Sequence, residues 1–150
     1  YNYGVLLDTL GRFEEAAIAY RKALEINPLH AQAHNNLGQA LERERKFAEA
    51  AGHYRQAIAS RPSFRLARFN LGRMRIASGD FDAAIRELES LREPVDDETP
   101  RYVFALAVAL VHGGRKAEGI ARAKEAQALA LRYSQTELAR TIGRELSRLQ

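Results

Sequence analysis

The sequence repeats itself with a period of 34 residues. When its first two segments are aligned on Pro28 and Pro62, glycine, alanine and aromatic residues also coincide. The coinciding pairs are Gly4 and Gly38, Phe13 and Phe47, Ala16 and Ala50, Tyr20 and Tyr54, and Ala23 and Ala57. A fixed period of this length indicates a fold of repeated units, because each unit is too small to bury its apolar face alone.

The period continues less regularly through the rest of the chain. A third unit keeps Leu71 and Gly72 in register but has Leu88 where the first two units have tyrosine. A fourth unit follows after one extra residue, which falls in the irregular segment 92–101. The last two units therefore follow the pattern less closely than the first two.

These residues resemble the tetratricopeptide repeat family, whose pattern contains a Leu-Gly pair, a later alanine, an aromatic residue and a closing proline. The resemblance implies an all-α, right-handed α-solenoid of about four helix hairpins, followed by a C-terminal capping helix. The array is expected over residues 1–133, with units at about 1–30, 31–64, 65–99 and 100–133, and the capping helix over 134–150. The first unit is expected to be truncated at its first helix.

Each unit is predicted to be two antiparallel helices joined by a tight turn. Gly11, Gly79 and Gly114 fall in this turn, where a left-handed backbone costs glycine little, and Arg45 takes the same place in the second unit. The first helices of the units are predicted at about 1–10, 31–44, 65–78 and 100–113. The second helices are predicted at about 14–27, 48–60, 81–93 and 116–130.

Capping signals support the start of the helix predicted at 100–113 and predict one further helix start. Thr99 followed by Pro100 suits an N-cap and a first helical residue. The segment Ser134–Glu137 has the spacing of a capping box and predicts that a last helix opens there. The leucines and isoleucine of that helix form one apolar stripe, which would cover the end of the array.

Asparagine recurs at the repeat period, as Asn2, Asn36 and Asn70. Asparagine is unfavourable inside helices, so its recurrence in the first helices requires a reason. First helices line the inner, concave surface of such a solenoid, and the resemblance implies that these carboxamides contact an extended peptide there. The alternative is that they pack neighbouring repeats together.

Helical spacing extends this predicted groove along all the first helices. The predicted peptide-binding residues are Asn2, Gln32, Asn35, Asn36, Gln39, Arg43, Phe69, Asn70, Arg73, Arg101, Phe104 and Val108. Among them, Arg73 and Arg101 could bind a carboxylate. Phe104 and Val108 would receive an apolar anchor of the ligand, or would instead be covered by the C-terminal helix.

Composition and motifs argue against other classes of function. The absence of cysteine excludes disulfides and thiolate metal sites. No apolar run approaches the ~20 residues of a membrane span, so a soluble protein is expected; its compartment, cytoplasmic or periplasmic, is left open by the sequence. Arginines alternate with acidic residues, which is typical of a solvated helix surface, and no nucleic-acid partner is predicted. His30 and His34 lack a third ligand, and no catalytic motif is recognisable, so neither a metal, a cofactor nor an enzyme activity is predicted.

The predicted function is a protein–protein interaction scaffold that binds an extended peptide or protein segment in its groove. One alternative is a targeting appendage of a larger enzyme or of a secretion or assembly complex. Another is self-association, in which the uncovered first unit forms a homo-oligomer. The sequence alone leaves these alternatives open.

Overall fold

The structure, a computed structural model, describes residues 1–149, and within that range it contains nine α-helices and no β-strand. The helices are α1 Asn2–Thr9, α2 Phe13–Ile26, α3 Ala31–Arg43, α4 Phe47–Ser60, α5 Arg65–Ala77, α6 Phe81–Glu89, α7 Thr99–His112, α8 Lys116–Arg132 and α9 Thr136–Leu149. The predicted all-α fold of paired helices is confirmed, and most helix ends lie within one or two residues of their predicted positions.

The largest differences from the predicted helix bounds lie around the irregular segment. The helix α6 ends at Glu89, four residues earlier than predicted. Thr99 is the first residue of α7 rather than its N-cap, a position that Glu98 takes. The Thr99 hydroxyl accepts the backbone N–H of Asp96 at 2.9 Å. This side chain therefore closes the preceding loop instead of capping the helix.

The chain forms two compact units, the first covering Tyr1–Leu71 and the second beginning at Gly72. In the first unit α1 packs on α2, α2 on α3 and α3 on α4. In the second unit α6 packs on α7, α7 on α8 and α8 on α9. The finer division into four repeats and a capping helix remains a prediction from the sequence.

Glycine lets the two helices of a hairpin approach closely. A Cβ atom added to Gly38 would lie 2.7 Å from Cε1 of Tyr54, and one added to Gly4 would lie 2.7 Å from Cε1 of Tyr20. Both tyrosine rings are fully buried. The glycines and tyrosines that coincide at the repeat period thus face each other within each hairpin.

Five of the helices, α1, α3, α5, α7 and α8, end in the same hydrogen-bonded turn. One residue takes a left-handed conformation, its N–H bonds to the carbonyl three residues back, and the next N–H bonds five residues back, which is a Schellman motif. The left-handed residues are Gly11, Arg45, Gly79, Gly114 and Ser134, with φ of 74°, 61°, 77°, 82° and 58°. The predicted turns at the first four positions are confirmed.

The predicted capping box at Ser134 is wrong. Ser134 closes α8, since its N–H bonds to the Leu131 carbonyl at 3.1 Å, and α9 begins only at Thr136. The predicted apolar stripe of the last helix is present, however. Ile142 and Leu146 of α9 are buried in one core cluster with residues of α7 and α8. Gln150, the end of the predicted capping helix, lies outside the described residues.

Candidate functional site

A continuous series of side-chain hydrogen bonds crosses the first compact unit from α5 to α1. Asn70 Nδ2 donates to Asn35 Oδ1 at 3.0 Å, and Asn35 Nδ2 donates to Asn36 Oδ1 at 3.2 Å. Asn36 Nδ2 then donates to the Tyr20 hydroxyl at 3.2 Å, and that hydroxyl donates to Asp8 Oδ2 at 2.6 Å. We call these five residues the hydrogen-bond series.

The three asparagines that recur at the repeat period have different environments. Asn70 is only 2% exposed, and its partner Asn35 is 1% exposed. A buried amide without a partner costs free energy, so these two side chains satisfy each other within the fold. Asn36 is half-buried, and Asn2 is exposed at the start of α1. Asn70 is thus placed for the packing role that was the alternative for the recurring asparagines, and Asn35, predicted as a groove residue, is buried with it. Asn36 and Asn2 reach the surface.

Asn36 lies within a row of polar side chains along one face of α3. Gln32, Asn36, Gln39 and Arg43 are spaced four, three and four residues apart, and each is at least partly exposed. We call these four residues the polar stripe. Its first and last residues are 11 positions apart, which is about 16 Å at ~1.5 Å per helical residue. A carboxamide has two donor hydrogens and an oxygen that accepts twice, and the hydrogen-bond series uses one donor hydrogen and one acceptor position of Asn36.

Two contacts hold the side chain of Arg43, the cation at the C-terminal end of the polar stripe. Arg43 Nη1 lies 3.3 Å from Asp8 Oδ1, and the Arg43 guanidinium lies 4.2 Å from the ring centroid of Phe13. Burial, and then the hydrogen bond to Asp8, raise the pKa of Tyr20 far above its usual value. The tyrosine hydroxyl therefore stays protonated and donates to Asp8, the carboxylate that also faces Arg43.

The other predicted groove residues are dispersed. Phe69 is half-buried on α5 in the first unit. In the second unit Arg73 is exposed, and Arg101 forms an ion pair with Glu98. Phe104 and Val108 line a cavity of about 90 Å³ whose other walls come from α8 and α9. The C-terminal helix thus borders these two apolar side chains, which is the alternative left open by the sequence.

The first unit contains a histidine pair that the sequence patterns did not predict. His34, 8% exposed, has its Nδ1 atom 3.0 Å from Nδ1 of His53 and its Nε2 atom 2.9 Å from the Pro28 carbonyl oxygen. A carbonyl only accepts, so the proton of neutral His34 is assigned to Nε2 and His53 donates through Nδ1. Burial lowers the pKa of His53, and it is lowered further by His34 whenever that ring is also protonated and by the positive charge of Arg21.

His30 does not join that pair. Its Nδ1 atom accepts the Ala33 N–H at 3.2 Å and caps α3. Across residues 1–149, no group of three histidine, cysteine or acidic side chains is placed to hold a metal ion. Within the same range, no helix has the length and apolar character needed to cross a membrane.

The paired helices, the recurring Schellman turns and the 34-residue period define a helical repeat protein. The profile of the tetratricopeptide repeat (TPR) family matches residues 1–63, 35–93 and 69–132, and the chain belongs to this family. No curated protein matches the chain significantly. TPR proteins are generally non-catalytic scaffolds that bind protein or peptide partners.

Solved structures with the same fold come from several proteins. PilF of Pseudomonas aeruginosa matches with a TM-score of 0.76 and 20% identity, covering 99% of this chain and 74% of that one. MamA of Desulfovibrio magneticus RS-1 matches with a TM-score of 0.76 and 17% identity, covering 99% and 89%. YrrB, described as a TPR protein with an unusual peptide-binding site, matches with a TM-score of 0.75 and 18% identity, covering 99% and 84%. At these identities the similarity shows the fold alone.

Proposed function

We propose that this chain is an interaction scaffold that binds an extended peptide or protein segment along the polar stripe of α3. The observation that carries the proposal is the alignment of three partly exposed carboxamides on one helix face. The central one, Asn36, is held in place by Asn35 and Tyr20. The proposed set of ligand-contacting residues is smaller than the set predicted from the sequence. Asn35 and Asn70 are left out of it, because they orient Asn36 rather than contact the ligand.

The chemistry of the polar stripe suits a peptide main chain. An extended segment presents N–H and C=O groups along its length, and carboxamides can pair with both regardless of the ligand's side chains. A stripe of about 16 Å accommodates roughly five extended residues at ~3.3 Å each. Because Asn36 is already oriented, less conformational entropy is lost when it binds.

Neighbouring residues add contacts to this proposed site. Asn2 on α1 and Phe69 on α5 offer a polar and an apolar contact, respectively. Arg43 favours an acidic group at one end of the segment, although its existing pairing with Asp8 weakens that preference. In the second unit, we propose a separate set of ligand contacts, formed by Arg73, Arg101, Phe104 and Val108.

A peptide selection with matched variants tests the proposed function. Peptides selected from a random displayed library on the wild-type chain are titrated against Asn36→Ala and the double variant Gln32→Ala/Gln39→Ala. Each lost hydrogen bond of about 1 kcal/mol weakens binding roughly fivefold, so the double variant should bind about 25-fold more weakly. The control is Gln56→Ala, an exposed amide on α4 of the same hairpin. Equal affinity for the double variant and the wild-type chain would rule out the polar stripe as the binding site.

A further inference from the structure

The fourth hairpin, α7 and α8, has a small residue where the other three hairpins have a large one. Tyr20, Tyr54 and Leu88 occupy equivalent positions at the repeat period, and all three side chains are fully buried against the first helix of their hairpin. After the one-residue insertion, the equivalent residue of α8 is Ala123. The fourth hairpin therefore has less side-chain volume to fill the space between its two helices.

The hydrogen-bond partner of the tyrosines is replaced as well. The hydroxyl of Tyr20 donates to Asp8, and that of Tyr54 donates to Glu42. The residue of α7 equivalent to these two acids is Val111. Because both members of the tyrosine–acid pair are replaced by apolar residues, the space in the fourth hairpin is apolar.

This space is the cavity of about 90 Å³ that lies between α7, α8 and α9. Its floor consists of small buried residues, Ala107, Gly119 and Ala123. Its walls consist of partly exposed apolar side chains, Phe104, Val108, Val111 and Leu149. Since the floor is buried and the walls reach solvent, the cavity opens at the surface of the second unit.

The volume and the lining of the cavity suit an aliphatic side chain. An engineered apolar cavity of ~150 Å³ stays dry and binds benzene, so a cavity of about 90 Å³ suits a smaller group, such as the side chain of leucine. The repeat points to the same group, because Leu88 fills the equivalent position of the third hairpin.

The mouth of the cavity carries a negative charge. Glu145 of α9 lies there, with a side chain that is 44% exposed and an ion pair of 2.7 Å to Arg148. An exposed ion pair of this kind contributes little, so the carboxylate can also face a cation of a ligand. A second polar residue at the mouth, His112, stacks on Phe81 with 5.8 Å between the ring centroids. A segment with a basic residue beside an aliphatic one is therefore complementary to this site.

We propose that this cavity binds an aliphatic side chain, such as leucine, of a protein segment that carries a lysine or arginine next to it. The inference rests on the proposed function, because the side chain belongs to a bound segment, but it involves none of the residues of the polar stripe. Ala123 and Val111 create the specificity, since a tyrosine and an acid at these positions would fill the space and make it polar.

A double variant fills the cavity with a pair of residues that another hairpin already accommodates. Ala107→Gly/Ala123→Leu reproduces the Gly72–Leu88 pair of the third hairpin. The glycine is included because a Cβ atom at position 72 would lie 2.7 Å from Cγ of Leu88. The matched control is Ala121→Leu, which adds the same side chain at an exposed position of α8. Circular dichroism checks that both variants are folded.

Xenon tests the cavity without any peptide. Xenon enters apolar cavities, so adding it to the full chain should shift the methyl NMR signals of Val108, Val111 and Leu149. The shifts should persist in the control Ala121→Leu and disappear in the double variant. Methyl signals that do not respond to xenon in the wild-type chain would overturn the proposed site.

Peptides selected from a random displayed library on the wild-type chain test the ligand. They should be enriched in an aliphatic residue beside lysine or arginine, and changing a leucine there to alanine should weaken binding about 50-fold, because three carbons are no longer buried. Ala107→Gly/Ala123→Leu should lose as much affinity, and Ala121→Leu should lose none. Glu145→Gln should weaken binding about threefold, but only for peptides that carry the basic residue.

The cavity and the proposed function fail in different ways. Peptides that lose affinity for the polar-stripe variant Gln32→Ala/Gln39→Ala but bind Ala107→Gly/Ala123→Leu as tightly as the wild-type chain would overturn the cavity alone. A library that yields no peptide for the wild-type chain would overturn both.

Discussion

The closest approach of two helices in the second hairpin gives a quantitative prediction. The substitution Gly38→Ala places a methyl group 2.7 Å from Cε1 and 3.0 Å from Cδ1 of Tyr54. Real Cβ contacts are not this short, so the ring or the helix must move. The ring cannot move easily, because it is fully buried and its hydroxyl donates to the Glu42 carboxylate.

Two opposing effects determine the size of the change. Alanine is favoured over glycine inside a helix by about 1 kcal/mol. Overpacking of a well-packed core costs about 1–3 kcal/mol. The free energy of unfolding of Gly38→Ala is therefore expected to fall by up to about 2 kcal/mol.

A glycine in the same hairpin provides the matched control. At Gly52 an added Cβ would have as its nearest neighbour only Nη2 of Arg55, at 3.9 Å. Gly52→Ala should thus gain the helix propensity without the clash. The difference in stability between the two variants measures the cost of overpacking alone. At ~2–4 °C per kcal/mol, a cost of about 1–3 kcal/mol corresponds to roughly 2–12 °C in melting temperature. Thermal unfolding followed by circular dichroism measures it, and equal melting temperatures would refute the close-packing explanation.

Three further predictions concern the first compact unit. Because the pKa of His53 is lowered in the folded state, the unfolded chain binds protons first, so stability should fall as the pH drops below about 6.5. The melting temperature of His53→Asn should fall less over the same pH range, and parallel curves for the variant and the wild-type chain would contradict the lowered pKa of His53. Arg45→Gly should raise stability by about 1 kcal/mol, since φ is 61° there, and urea denaturation measures this gain. Asn70→Ala should lower the free energy of unfolding by about 1–3 kcal/mol, because the substitution leaves the buried Asn35 oxygen without its donor. An unchanged urea midpoint would contradict that account.

The turns and hairpins were predictable because they depend on residue type and period. Glycine at the turn indicates a left-handed residue wherever it occurs, and the period transferred the same expectation to Arg45. The prediction for Ser134 was wrong because a serine three residues before a glutamate, here Glu137, is also typical of a helix start. Which of the two meanings applies is decided by the backbone hydrogen bonds that close α8, and these are not visible in a local sequence pattern.

The candidate site was only partly predictable. The repeat period identified Asn36 and Asn70 as equivalent, but the hydrogen bond that forms joins Asn70 to Asn35, a separation of 35 rather than 34 residues. Alignment at a fixed period cannot reveal such a contact. The His34–His53 pair joins two helices of one hairpin, and predicting it would require the rotation of each helix about its axis, which spacing along a single helix does not give.

The hydrogen-bond series has a consequence for how the first unit opens. Repeat arrays in which each hairpin touches only its neighbours can fray from an end, one hairpin at a time. Here, detaching the first turns of α5 would strand the amide of Asn35, and detaching α1 would remove Asp8, the acceptor of the Tyr20 hydroxyl. Because loss of either end disturbs the same line of bonds, amide protons from α1 to the start of α5 should exchange with deuterium together, as one cooperative block.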